Sequence, residues 1–306
     1  MAPLPNPAPL VSVVLPTYNG SRFIAASIES CLNQTYPHFE LIVVDGGSTD
    51  DTLAIVARVA DTRVRVMQQP SNSQRLPGAL NLGFAHASGE FYTWTQDDDV
   101  YMPEAIEVLV GALVAQPEAG LAYAGMWFID EKGKVIGAPN LGPPEHLYWT
   151  NSIGHCFLYR RSVAERVGAY DFEYLMAEDN QYWMRVFKQA TITQVPGRYY
   201  CHRLHSGSLS MHEYGRYQAL RVAARARRDI LGINRSAYWR QVAAAYVEEA
   251  FAAYAENDYA HVRRCLARGL SRNPLWLRNR GVCSILLTSL ARRRQARRVQ
   301  LAAGSG

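Results

Sequence analysis

The sequence has no run of about eighteen apolar residues, the length that a membrane-crossing helix needs. The nearest approach, GVCSILLTSLA at 281–291, is far too short. Nor does the chain open with a basic start followed by an apolar stretch. MAPLPNPAP is proline-rich, and residues 1–9 read as a disordered leader rather than a signal peptide. The five cysteines, Cys31, Cys156, Cys201, Cys265 and Cys283, have neither metal-ligand nor disulfide spacing. They read as reduced thiols of a cytosolic protein, small apolar side chains for the most part. LPTYNGSRF, after the first apolar run, holds a single glycine, so the glycine-rich basic loop of a nucleotidyltransferase is missing. So is any nucleic-acid recognition motif.

What is there describes a folded chain. Hydrophobic residues make up 48% and charged residues 19%, which excludes a disordered protein. A length of 306 residues suffices for one large domain or two smaller ones with a well-buried core. The net charge of +5 hides an asymmetry. From Arg216 onward 18 arginines stand against five acids, a balance of +13, which leaves −8 on residues 1–215.

VSVVLPTY (11–18) and FELIVVD (39–45) are short β-branched runs, as strands buried on both faces should be. RVRVMQQ (63–69) and EFYTWTQ (90–96) supply two more strands. Helical spacing separates them at 21–34, 51–60 and 77–87, the last with Pro77 in its first turn, and Pro103 opens a further helix. Strands alternating with helices predict βαβ units and a parallel sheet, whose ligands bind beyond the carboxyl ends of the strands. After residue 120 the pattern becomes a hairpin turning at Lys132–Gly133, a strand at 153–161, a helix at 176–190 and a last strand at 190–196. From about 213 the chain is helical and rich in alanine and arginine, and 250–274 has the look of a helical hairpin. With at most one recognisable copy, it is no solenoid.

The polar residues at the strand ends are Tyr18 and Asn19, Asp45, and the run Asp97, Asp98, Asp99, and they should meet on one edge. Adjacent carboxylates oppose one another's ionisation, and a hard divalent cation relieves that repulsion. Mg²⁺ or Mn²⁺ on one or two carboxylates keeps waters and takes phosphate oxygens, so the natural partner is a nucleoside diphosphate derivative. A solvated acidic turn ahead of the Pro103 helix is the alternative reading. Asp45 precedes two glycines that let a ligand approach, and can accept from a base or ribose. It can equally cap its own turn.

The stretches VSVVLPTYNG, FELIVVDGGSTDDT, ALNLGFAHASGEFYTWTQDDDVYMPEAI and MAEDNQYWMRV, in this order, resemble the successive motifs of family 2 glycosyltransferases over roughly residues 10–212. The resemblance implies an inverting enzyme with the A-type nucleotide-sugar transferase fold, a Rossmann-like, mostly parallel sheet flanked by helices. It implies that Pro16, Thr17, Tyr18 and Asn19 line the nucleotide pocket, with Tyr18 against the base, and that Asp45 reads the base edge. Arg75 would lie near the nucleotide. QDDDV occupies the metal motif, with Gln96 where members more often have the first Asp. That makes Asp98 the metal ligand, Asp97 a ribose contact, and Asp99 a second ligand or a support. Gly46 and Leu80 are further departures, at positions where many members have Asp and Arg.

Inversion needs a base to take the proton of the attacking acceptor hydroxyl. By the match of AED at 177–179, Asp179 is that base and Glu178 orients the acceptor. As isolated residues the two would read as acids at a helix start. CHRLHSGSLS resembles the segment facing the pyrophosphate, which implies Arg203 near the diphosphate and His205 at the metal, with Ser206 and Ser208 as donors. Trp149 and Trp183 could stack on acceptor sugars, although core packing is the simpler role for each.

The expected organisation is a leader (1–9), a catalytic domain (10–212) with a nucleotide-binding half (10–100) and an acceptor-binding half (101–212), and a basic helical region (213–306). The expected reaction is metal-dependent transfer from a nucleoside diphosphate sugar, UDP-linked by family precedent, to a glycan or lipid-linked acceptor of the cell envelope. RRRQARR (292–298) beside apolar residues suggests peripheral contact of a cytoplasmic protein with anionic headgroups. A non-catalytic nucleotide-sugar scaffold and a sugar nucleotidyltransferase are the other classes open to this sequence.

Overall fold

The computed structural model describes residues 7–69, 75–208 and 215–303. The chain divides after Ser208 into two compact units. In the first, β1 (Val11–Thr17), β2 (Phe39–Asp45), β3 (Val64–Gln68) and β4 (Phe91–Trp94) alternate with α1 (Ile24–Leu32), α2 (Thr52–Val56) and α3 (Arg75–Ala85). All pairings among these strands are parallel. Val11, Val13, Val14 and Leu15 of β1 are fully buried, as its unbroken apolar run requires. α3 lies close against β1 because Gly83 carries no side chain: a Cβ there would meet Val14 Cγ1 at 2.5 Å.

The register sets Thr17 beside Asp45 at the carboxyl edge. Thr95 N donates to Val14 O at 3.0 Å, so the aspartate run follows β4 out beyond the same edge. Of the expected leader, residues 1–6 lie outside the described residues. Pro9 is buried and its carbonyl accepts the Tyr36 hydroxyl at 2.5 Å.

The rest of this unit comprises β5 (Val100–Tyr101), α4 (Ala105–Ala115), β6 (Ala119–Ile129), β7 (Val135–Gly137), β8 (Cys156–Arg160), α5 (Arg161–Val167), α6 (Glu178–Phe187) and β9 (Thr191–Arg203). One nine-stranded sheet runs β3-β2-β1-β4-β8-β6-β9-β5, with β7 beside β6. β8 is antiparallel to both β4 and β6, while β6 and β9 pair in parallel, so the sheet is mixed beyond β4. The hairpin turn holds Gly133 at φ +83°.

The last strand departs from expectation. It does not stop at Pro196 but continues to Arg203. Proline donates no amide hydrogen and Gly197 takes φ +105°, so the pair steps out of the ladder as a bulge. Val195 pairs with Ala124, and pairing resumes with Arg198 opposite Gly125. The strand's second half carries Tyr200, His202 and Arg203. Also unanticipated were α5, too short for periodicity to show, and the two-residue β5.

The second unit consists of α7 (Gly215–Ala226), a π-turn at Arg227–Leu231, α8 (Arg235–Ala255), α9 (Tyr259–Arg272) and α10 (Arg280–Ala303). Asn234 caps α8 by accepting Ala237 N at 2.9 Å, and Asp258 caps α9 by accepting His261 N at 2.8 Å. Asn257, at φ +63°, makes the sharp turn of the α8–α9 hairpin. Val247, Ala250, Val262, Leu266, Val282 and Ile285 form its core. Among the described residues no helix is long and apolar enough to cross a membrane, and all five cysteines are free.

Gly83→Ala should destabilise the first unit by about 1–3 kcal/mol, the usual cost of overpacking, because Val14 lies in a central strand with no room to yield. Urea unfolding of the variant against the parent chain measures it.

Candidate active site

The three aspartates do three different things. Asp97 folds back over β1, where Thr17 Oγ1 donates to its Oδ2 at 2.5 Å. Gly20 makes room for it, since a Cβ there would stand 2.1 Å from that oxygen. Burial above all pushes the Asp97 carboxyl up to about 6. Asp98 Oδ2 lies 2.9 Å from His205 Nε2, while its Oδ1 is buried without a partner among the described residues. Burial, then the Asp99 charge, raise Asp98 above the usual carboxylate range.

Asp99 turns inward and is 0% exposed. It accepts from the Tyr200 hydroxyl at 2.9 Å, from His202 Nδ1 at 3.0 Å and from Arg203 N at 2.8 Å. Burial works against its charge. The His202 charge and hydrogen bond, with His155 and the Arg203 amide, outweigh it and hold Asp99 below its ordinary value. Burial likewise opposes the charge of His202, but the Asp99 carboxylate overcomes it and shifts the ring upward. Of the two roles expected for Asp99, second metal ligand or support, these bonds to donors of the protein fit the support.

The His205 tautomer follows from its neighbours. Gly207 N donates to Nδ1 at 3.2 Å, so Nε2 carries the hydrogen shared with Asp98. Its ring rests on Phe23 at 4.9 Å. Arg203 is buried, with Nε donating to Asp98 O at 2.8 Å and Nη1 to Asp130 O at 3.1 Å. This arginine, expected at the diphosphate, thus clamps the aspartate turn. Ser208 N donates to His205 O at 3.0 Å and closes the loop behind it.

A cation would find a suitable donor set here. Among the described residues Asp98 Oδ1 is buried and unpartnered, which suits Mn²⁺ or Mg²⁺ with phosphate oxygens completing the shell; Nε2 of His205 would join once its hydrogen moves to Nδ1 and the bond to Asp98 is given up.

At the ends of β1 and β2, Gly46 N donates to Thr17 O at 2.8 Å and Thr49 N to Asn19 Oδ1 at 2.8 Å. Asn19 sits at φ +55°, which aims its side chain across the gap. Pro16 is half-buried in β1. Tyr18 is 48% exposed, an open ring at the edge. Asp45 is 0% exposed and its oxygens accept Gly47 N at 3.0 Å and Ser48 N at 3.1 Å. The carboxylate expected to read a base is occupied in its own turn. Arg75 opens α3, exposed at φ +48°, and no hydrogen bond among the described residues ties it to this cluster.

The second pair of acids begins α6. Asp179 Oδ2 accepts Asn151 Nδ2 at 3.0 Å, and Glu178 is buried with Oε2 unpartnered. Two histidines missed by sequence reasoning join this pair to the aspartate turn. His155 stacks on His202 with centroids 4.7 Å apart and planes at 14°. Asp179 acts electrostatically on both rings. Gln96 Nε2 lies 3.2 Å from His155 Nδ1. The one signal in the sequence was a histidine inside the apolar run IGHCFLY. Trp183 is a core residue with no exposure, whereas Trp149, for which packing was the simpler expectation, is 58% exposed two residues before Asn151.

The sequence model of the family described as Glycosyl transferase family 2 matches residues 12–168. Among curated proteins, the chain is 25% identical over 210 residues to the Escherichia coli UDP-Glc:alpha-D-GlcNAc-diphosphoundecaprenol beta-1,3-glucosyltransferase WfgD, covering 67% of this chain and 81% of the relative. It is 33% identical over 193 residues to the putative glycosyltransferase EpsE of Bacillus subtilis, covering 60% and 69%. Among solved structures, S. aureus TarS 1–349 in complex with UDP-GlcNAc superposes with a TM-score of 0.63 at 20% identity, over 86% of this chain and 81% of that one. The mannosyltransferase PcManGT of Pyrobaculum calidifontis, in complex with GDP-Man and Mn²⁺, gives 0.61 at 20% identity, over 95% and 82%. The fold is therefore the A-type glycosyltransferase fold, here with a helical C-terminal unit.

Burial, then the Asp179 charge, push the Glu178 carboxyl up to about 7 from its ordinary 4.5. An acid whose value is raised on folding holds its proton more tightly in the folded chain. Its contribution to stability is complete below about pH 4.5 and is lost as the pH rises to about 7. Glu178→Gln keeps the shape and removes the titration. Between pH 4.5 and 8 the variant should lose about 2–3 kcal/mol less unfolding free energy than the parent chain, read by urea unfolding across the range.

Proposed function

The chain belongs to glycosyl transferase family 2, and from that premise we propose that it is an inverting, metal-dependent transferase. It would move a sugar from a uridine diphosphate sugar to a hydroxyl of a lipid-linked glycan in cell-envelope polysaccharide synthesis. One observation carries this reading: two acid groups of different character share one edge of the sheet, linked by stacked histidines. One is the Asp98–His205 pair, with an unpartnered oxygen. The other is Asp179, held by Asn151 at the start of α6. A scaffold that only binds nucleotide has no use for the second.

Asp98 and His205 would hold the Mn²⁺ or Mg²⁺, which when bound neutralises charge on the departing diphosphate. Tyr18 offers its exposed ring to the base. Asp97 borders the ribose side of the turn, and Asp99, Arg203 and Tyr200 brace it. Asp179 takes the proton of the acceptor hydroxyl as that oxygen attacks the anomeric carbon. Asn151 fixes one carboxylate oxygen, so the rotamer is set before substrate arrives. Glu178, buried beside it, orients the acceptor. The UDP-GlcNAc complex of TarS supports the donor class, and the name of WfgD supports the lipid-linked acceptor.

The helical unit fits a lipid-borne acceptor. Leu275, Leu277, Leu287 and Leu290 are exposed at 59%, 51%, 67% and 39% in an arginine-rich segment. Apolar side chains that enter the interface while arginines meet anionic headgroups are the pattern of a peripheral membrane contact.

Asp98→Asn should abolish Mn²⁺-dependent tightening of UDP binding along with transfer. Asp179→Asn should leave UDP binding within about twofold and lower kcat by about 10²–10⁴. Calorimetry with UDP and Mn²⁺, alongside turnover on a prenyl-diphosphate-linked sugar, separates the two. Normal turnover in Asp179→Asn would remove the base assignment. The full chain should co-sediment with phosphatidylglycerol vesicles at low salt, and L287E/L290E should reduce the bound fraction several-fold.

A further inference from the structure

Among the described residues the hydrogen bonding of His155 is confined to one ring nitrogen, as is that of His202, but His202 is turned to Asp99 of the protein whereas His155 meets only the Gln96 amide. Gln96 Nε2 lies 3.2 Å from Nδ1, and an amide nitrogen can only donate. The ring is half-buried, sandwiched in a stack with His202 at 4.7 Å and Tyr200 at 6.1 Å. A ring that accepts the Gln96 amide at Nδ1 is neutral, and burial and then the His202 charge, which keep His155 below its ordinary value, favour the same state. A neutral ring that accepts at Nδ1 carries its hydrogen on Nε2.

Its position defines what that hydrogen can meet. On one side are Gln96, at the head of the aspartate turn, and His202, bonded to Asp99. On the other is Asp179, near enough to act on the ring's charge. In the transfer proposed above, the diphosphate lies at the turn and the acceptor hydroxyl at Asp179. The group between them is the sugar being transferred. We propose that His155 binds the transferred sugar, donating from Nε2 to one of its hydroxyl oxygens, and that Gln96 fixes this by keeping Nδ1 an acceptor. This rests on the nucleotide-sugar reading and adds a specificity-determining residue to it. It also accounts for an amide at position 96, since a carboxylate there would draw a proton onto Nδ1, whereas the amide leaves the ring neutral.

The test is calorimetry on the full chain with Mn²⁺ and paired ligands: UDP with UDP-glucose and UDP-N-acetylglucosamine, GDP with GDP-mannose. His155→Ala should bind the bare diphosphate as the parent does. It should bind the preferred sugar nucleotide about tenfold more weakly, the worth of one good hydrogen bond. His155→Gln, whose amide can donate, should recover part of the loss. Gln96→Ala should lose several-fold for the sugar nucleotide only. Equal weakening of the diphosphate and its sugar derivative, or no weakening of either, overturns the assignment. A parent chain that binds none of the five ligands overturns the nucleotide-sugar reading itself, and this assignment with it.

Discussion

The site depends on one buried carboxylate. Asp99 has no exposure to water and is held by the Tyr200 hydroxyl, by His202 and by the Arg203 amide, all on one strand. A buried charge is tolerable only when paired and fully hydrogen-bonded, and this one is both. Because the turn is anchored by its third aspartate, the first two are left at the surface of the cleft. Arg203 reinforces the anchor from its guanidinium side through the Asp98 carbonyl. Losing the His202 partner would leave an uncompensated charge at the base of the turn, and the turn would move.

The anchor also explains how adjacent acids coexist. Asp99 and His202 each favour the other's charge, the carboxyl shifting downward and the ring upward, so the repulsion of Asp98 by Asp99 is partly offset locally. Asp98 and Asp97 are pushed the other way by burial, above the usual carboxylate range. Glu178, at the far side of the cleft, is raised for the same reason.

Much of this was legible in the sequence. The alternation of β-branched runs with helical spacing gave β1 to β4 and the carboxyl edge on which Thr17, Asp45 and the aspartates meet, because parallel strands buried on both faces leave a plain hydropathy signal. What stayed hidden was the fate of each acid. Three adjacent aspartates look alike in one dimension. Only the approach of β9 separates the anchored Asp99 from the open Asp98. Asp45 could be read as a ligand or a turn cap, and the hydrogen bonds to Gly47 and Ser48 show the cap. His155 immediately precedes β8, and His202 lies on the part of β9 beyond the strand expected at 190–196, both far in sequence from the residues they serve. Trp149 escaped because exposure of an aromatic in an irregular loop has no periodicity to betray it.

The irregularity in β9 bears on how such a chain can vary. Opposite β6, the pairing moves from Ala124–Val195 to Met126–Tyr200, so β9 has three residues more than its partner over that interval. Side chains alternate along a strand, and an odd excess exchanges the two faces. Tyr200 and His202 meet Asp99 only with that parity. Deleting one residue between Val195 and Tyr200 would present Cys201 and Arg203 where the tyrosine and histidine now stand, and inserting one would present Tyr199 and Cys201. Elsewhere on the surface, lineages can lengthen or shorten loops freely. Here the residue count itself is constrained by the geometry, and related chains that keep this anchor should keep the same count across the bulge.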